Sequence, residues 1–235
     1  MARTVNSEEY AARRGEILDA AQRLVFTKGY EQMSIQDILS ELSISSGAFH
    51  HYFESREALL AAFIERMGRE AEKPLLHILQ NPHLTAVEKL QGFFDTLDRL
   101  RFAQKAFIAR LARVWYNDDN ALVRLKVDEA VIVQRAPLIT EIVRQGIREG
   151  SFSTAHPDQA GEIILSLIQR MGNTHARLLL SLKPGIDNEA GNDEIVGCIV
   201  AIHAAYMDAI ERVIGASPHC LYRTDAEAVK TWVDV

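Results

Sequence analysis

The sequence predicts an all-α protein, and three observations carry the prediction. Apolar residues recur at helical spacing along most of the chain. No stretch shows the period-two alternation of a half-buried strand. The 6 prolines and 13 glycines in 235 residues fall mostly where helices would begin or end. At roughly 100–200 residues per domain, the length allows one large domain or a small one joined to a larger one. Apolar residues make up 48% and charged residues 25%, a globular balance that excludes a disordered tail or a collagen-like chain. No window approaches the roughly 18 uninterrupted apolar residues of a membrane span. The N-terminus runs into charged residues without an apolar signal core. A cytoplasmic protein with no membrane partner is expected. Cys198 and Cys220 have neither the number nor the spacing for a disulfide framework or a metal centre. The net charge of −6 argues against a nonspecific nucleic-acid coat but leaves room for a local DNA-binding face.

Periodicity divides the chain into about nine or ten helices. The first covers residues 8–28, with Ile17, Ala21, Leu24 and Val25 on one face and Gly29 closing it. Ser34 caps a short helix ending near Leu42, with Asp37 as the return partner of a capping box. Ser43 and Ile44 make a tight turn, and Ser45 caps a third helix reaching Tyr52. Ser55 caps a long fourth helix ending near Gln80, bent at Pro74. Longer helices follow at residues 86–116, at 122–149 with a bend or break at Pro137, at 157–182 and at 189–215. A short terminal helix can start at Asp225.

Two short helices joined by a tight turn form the unit whose second helix offers its N-terminal residues to the major groove. Here that helix, capped by Ser45, carries Ser46, Gly47, Ala48, Phe49, His50 and His51. The small residues admit a close approach to DNA. Ser46, Ala48, Phe49 and His50 are candidates for contact with base edges. Ser34 sits at a helix N-terminus that favours a phosphate, and Tyr52 and Arg56 are candidate phosphate clamps. Periodicity alone is equally compatible with three helices packed as an ordinary core. The residue order goes further. Gly29-x4-Ser34-x3-Ile38, then Ile44-Ser45-x-Gly47-x2-His50-x-Tyr52-Phe53-x2-Arg56-Glu57-x-Leu59, resembles the N-terminal domain of TetR-type transcriptional repressors. Residues 141–152, ending Arg-Glu-Gly-Ser-Phe, resemble the end of that family's seventh helix.

The resemblance implies a three-helix DNA-binding domain at 1–54 and a larger helical ligand-binding and dimerisation domain at 55–235. It implies a homodimer on a palindromic double-stranded operator, released by a small-molecule effector, with no cofactor and no catalytic role. The chain departs from the family where Leu39 and Leu42 replace alanine, Ser43 a turn glycine, His50 a tyrosine and Arg56 a lysine. A serine held at positive φ costs about 1 kcal/mol. Acidic side chains outnumber basic ones in residues 1–56, so DNA affinity must come from where each charge sits.

The helix at 189–215 is apolar on more than one face, which implies burial, inside the monomer or at an interface. Gly197, Ala201, Ala204 and Ala205 make one small-residue face, and Ile199, Ile202 and Tyr206 belong to an apolar stripe. The resemblance favours a four-helix dimer interface built from this helix and the one before it. For an effector pocket, Gln104 and His175 stand out as polar groups on apolar stripes; such a group has a buried partner or faces a cavity. Phe107, Trp115 and Met171 are candidate apolar lining. The histidines show no i, i+4 metal pairing, so no metal site is expected. No nucleophile-elbow, P-loop or HExxH motif supports the rival reading of a helical enzyme.

Overall fold

The structure is a computed structural model that describes residues 7–103, 112–181 and 189–233, the side chains of 68, 70–72, 74, 98–103, 189, 190 and 233 excepted. Among the described residues every regular element is helical: α1 (Ser7–Lys28), α2 (Ile35–Leu42), α3 (Ser46–His50), α4 (Arg56–Leu79), α5 (Ala86–Ala103), a 3-10 turn (Asp118–Asn120), α6 (Ala121–Glu149), α7 (Pro157–Ser181), α8 (Glu189–Ile214) and α9 (Ala226–Val233). None of these is long and apolar enough to cross a membrane.

Local chemistry explains the helix ends. Ser34 and Asp37 form the expected capping box, the Ser34 hydroxyl accepting from the Asp37 N–H at 3.2 Å and the Asp37 carboxylate accepting from the Ser34 N–H at 2.7 Å. Thr85 and Glu88 repeat the arrangement at α5. Ser45, Ser55 and Asp225 cap α3, α4 and α9 through the N–H groups of Ala48, Ala58 and Ala228. The bend or break expected at Pro137 does not interrupt α6, which runs for 29 residues through it. The proline deprives the Val133 carbonyl of its helical donor, and Val133 lies 74% exposed, where water can serve instead.

The chain packs into two compact units. The first comprises Met1–Glu70 and Arg113–Ala130, the second Ala71–Ala112 and Val131–Val235. By packing, then, the division is interleaved along the chain. Residues 113–130 join the first unit because Val123 is fully buried in its core, with Trp115 and Val127 against it. That core is built from Ile17, Ala21 and Val25 of α1, Ile38 of α2, Phe49 and Phe53, and Leu59 and Phe63 of α4. The second unit's core gathers Leu90 and Phe93 of α5, Ile139 and Val143 of α6, Ile164 and Leu165 of α7, and Met207 and Ile210 of α8. There α7 runs so close to α6 that a Cβ at Gly161 would lie 2.2 Å from the Ala136 carbonyl oxygen.

Within the second unit the segment after α8 is tied down by one carboxylate. Glu211, only 3% exposed, accepts from the N–H groups of Leu221 at 2.9 Å and His219 at 3.0 Å and from Arg223 at 2.8 Å. Burial pushes its pKa up, but the Leu221 N–H, Arg223 and the His219 N–H together outweigh that and leave it lowered. A carboxylate with a depressed folded pKa stabilises above its unfolded value, and the contribution fades as pH falls through the folded one. Acidification below about 4.5 should therefore loosen residues 216–224. Glu211→Gln should lower stability at neutral pH by about 2 kcal/mol and flatten the acid limb, as read by urea unfolding at pH 7 and pH 3.5. An unchanged urea midpoint at pH 7 would contradict this.

Candidate nucleic-acid interface

The first unit holds α2 and α3 on either side of a rigid corner. Ser43 ends α2 in the left-handed region at φ 51°, ψ 44°, so this turn keeps its left-handed geometry without glycine. The Ile44 N–H closes back on the Leu39 carbonyl at 3.0 Å, which satisfies a carbonyl that α2 leaves open. Ser45 then starts α3 at φ −78°, ψ 157°. At the other end of α2, Lys28 reaches Asp37 at 2.6 Å. Lys28, joined by Ser34, holds the Asp37 carboxyl far below the usual carboxylate range.

This scaffold presents Ser45, Ser46, Gly47, His50 and His51 to solvent, with Ala48 half-buried. A Cβ on Gly47 would meet only the Ser45 hydroxyl, at 4.0 Å. Nothing in the free protein requires glycine there, and the bare backbone can approach another molecule closely. Phe49 departs from the sequence expectation of a base-contacting side chain. It is 0% exposed and packs 5.9 Å from the Phe53 ring in the unit's core, so it carries the reading face without belonging to it.

The candidate phosphate contacts also sort differently from the expectation. Arg56, half-buried, donates to the Tyr30 carbonyl and lies over the Tyr30 ring at 4.0 Å. Both attachments hold it in place in the free protein. Tyr52 is half-buried under Tyr10 at 4.9 Å between ring centroids. Ser34 is engaged in its capping box. Of the remaining cations, Arg13 pairs with Glu16, Arg23 with Glu41 at 2.7 Å and Arg66 with Asp19 at 2.7 Å, while Arg14 covers Phe53 at 4.8 Å. Exposed pairs of this kind are worth only about 0–1 kcal/mol, so Arg13 and Arg23 can exchange a carboxylate for a phosphate at little cost.

The comparisons agree with this architecture. Residues 17–63, from α1 through the first turns of α4, match the family described as bacterial regulatory proteins, tetR family. The match covers the N-terminal DNA-binding domain of that family. Within the first unit, residues 17–63 are the helix-turn-helix of a transcriptional regulator. Among curated regulators, the chain is 26% identical over 165 residues to the HTH-type transcriptional regulator YfiR of Bacillus subtilis, covering 67% of this chain and 76% of that one. It is 24% identical over 202 residues to the HTH-type transcriptional regulator UidR of Escherichia coli, covering 86% and 91%. A TetR-family regulator from Pectobacterium atrosepticum shares the fold with a TM-score of 0.55 at 18% identity, covering 87% of this chain and 97% of that one. A transcriptional regulator from Cytophaga hutchinsonii does so at 0.52 and 16%, covering 84% and 98%.

The residues expected to line an effector pocket are described only in part. Gln104 and Phe107 lie outside the described residues. Trp115 belongs to the first unit, 5.9 Å from Phe26, because the chain returns there at residue 113. Met171 is buried in the second unit. His175 stacks on His203 at 6.0 Å, with planes 15° apart, and Tyr222 meets His203 edge-on at 5.5 Å. The polar position on the α7 stripe thus packs against α8. The residues expected at a dimer face divide. Gly197, Ala201 and Ala205 are exposed, and Ile202 and Tyr206 are half-buried. Ile199 is the exception: it is 3% exposed and clusters with Val196 and Val229, since α9 covers that side of α8.

Sequence reasoning missed Asn120, which is 0% exposed and bonded to both ends of the turn after α1. The only local signal is the polar run Asn117-Asp118-Asp119-Asn120 ahead of a helix, which reads as an ordinary cap.

Proposed function

We propose that this protein is a TetR-family regulator, a cytoplasmic homodimer that represses transcription from a palindromic operator and is released by a small-molecule effector bound in its second unit. The observation that carries the DNA-reading role is the exposed row Ser46, Gly47 and His50 at the start of a helix fixed by caps at both flanks. Ser46 and His50 can bond to base edges while Gly47 lets the backbone settle into the groove. Release by effector is a population shift: the ligand must favour a conformation with different head spacing, since equal affinity for both states moves nothing.

One helix-turn-helix reads one half-site, so specific reading requires two copies about one helical turn apart. The exposed stripe of α8 supports an interface between copies. It runs Glu194, Gly197, Cys198, Ala201, Ala205, Arg212, with an acid at one end, a base at the other and small residues between. Two such helices packed antiparallel would set Ala201 against Ala205 and Glu194 of one copy opposite Arg212 of the other. Ala201→Arg should leave the fold intact and yield monomers by sedimentation velocity at concentrations where the parent is dimeric. A dimeric variant would contradict this interface.

The function itself is tested by anisotropy titration of the full-length protein against the DNA upstream of its own gene, with excess random duplex present. Saturable, competitor-resistant binding with two or four protomers per duplex is expected. Binding that competitor abolishes, on this and on every duplex of the surrounding region, would contradict a sequence-specific regulator.

A further inference from the structure

The corner between α1 and α2 is held from outside the N-terminal helices. Asn120 uses all of its carboxamide there. Its Oδ1 accepts from the Tyr30 N–H at 2.7 Å, and its Nδ2 donates to the Val25 carbonyl at 3.3 Å and to the Val114 carbonyl at 3.0 Å. Beside it the Glu31 N–H donates to the Asp119 carbonyl at 3.0 Å. Gly29, at φ +90°, lies so close that a Cβ on it would stand 2.7 Å from Asp119 Cβ. A buried side chain bonded three times specifies one arrangement, because any substitute leaves partners unserved. Aspartate lacks the donors and alanine lacks everything.

Tyr30 is gripped from its other side too. Its carbonyl accepts from Arg56, whose guanidinium also covers its ring at 4.0 Å. Arg56 is the first residue of α4, and Asn120 immediately precedes the first residue of α6. These are the two helices that begin in the first unit and continue into the second. The backbone of Tyr30 is therefore bonded, N–H and C=O respectively, to the starting points of both. Five residues further on, α2 begins.

We propose that Asn120 is a positioning residue for DNA reading: across 90 residues of sequence it locks the α1–α2 corner, and with it the reading face of α3, to the start of α6. This rests on the DNA-reading role proposed above. Linkage makes the effect reciprocal: if the start of α6 sets the head, DNA bound to the head must steady the start of α6.

The test uses the full-length protein, a duplex enriched from a random pool by the parent, and a scrambled duplex. Asn120→Ala should weaken the enriched duplex at least about tenfold and the scrambled one by less than about twofold. In the parent, the enriched duplex should slow hydrogen exchange of amides in residues 121–130; in the variant it should not. The parent measurement needs no substitution, so the proposal stays exposed even where Asn120→Ala fails to fold. A parent that enriches no duplex sinks the regulatory reading itself. A parent that binds its duplex with exchange at 121–130 unchanged, or a folded variant that binds as tightly as the parent, sinks this inference alone.

Discussion

Phe49→Ala should abolish operator binding by unfolding the head, and Phe49→Leu should preserve it. Phe49 is 0% exposed, packs on Phe53 at 5.9 Å and shares a core with Ile17, Ile38 and Phe63. Truncating a buried phenylalanine costs about 3–5 kcal/mol, a large share of the roughly 5–15 kcal/mol that holds a domain together. Leucine keeps most of the volume and should cost less than about 1.5 kcal/mol. Thermal unfolding followed by circular dichroism, beside operator anisotropy, separates this from a base-contacting role. A phenylalanine that touched thymine methyls would lose affinity on truncation with its melting temperature intact, and that result would overturn the burial account.

Gly47→Leu should show the opposite pattern, with stability kept and reading lost. A Cβ at 47 meets nothing closer than the Ser45 hydroxyl at 4.0 Å in the free protein. Replacing a helical glycine removes a cost of roughly 0.5–1 kcal/mol, so melting should hold steady or rise. A leucine there would push the N-terminal end of α3 away from the groove floor. Ser46 and His50 would then lose their base contacts together, a loss of at least about 30-fold in operator affinity if each contact is worth about 1–3 kcal/mol. Binding to nonspecific DNA, which depends on phosphates, should change little. Unchanged operator affinity would mean that α3 does not lay its backbone against DNA.

These two residues also show what a sequence can and cannot reveal. The caps at Ser34 and Ser45 are legible because a cap and the N–H it serves lie within four residues. The order of helices is legible for the same reason, since period and punctuation are local. A helix of five residues such as α3 is too short for its period to say which face is buried, so Phe49 and His50 look alike until α1 and α4 are packed around them. Trp115 and Asn120 are harder still. Their partners Phe26 and Tyr30 lie about ninety positions earlier, and no local pattern tells that the chain re-enters the first unit at residue 113. On α8 both apolar faces were visible, but only the docking of Val229 from α9 assigns Ile199 to the interior and leaves Ala201 outside. A polar residue on an apolar stripe stays ambiguous by nature; at His175 the ring of His203 answers it.

In the proposed dimer, α3 reads sequence in pairs. The most direct test of this is selection of duplexes from a random pool by the full-length protein, over several rounds at near-physiological salt. The expected result is enrichment of a palindrome whose half-site centres lie about 10 base pairs or a multiple apart, with enrichment lost in Gly47→Leu. A pool that remains random after selection, or one that Gly47→Leu enriches equally well, would contradict it.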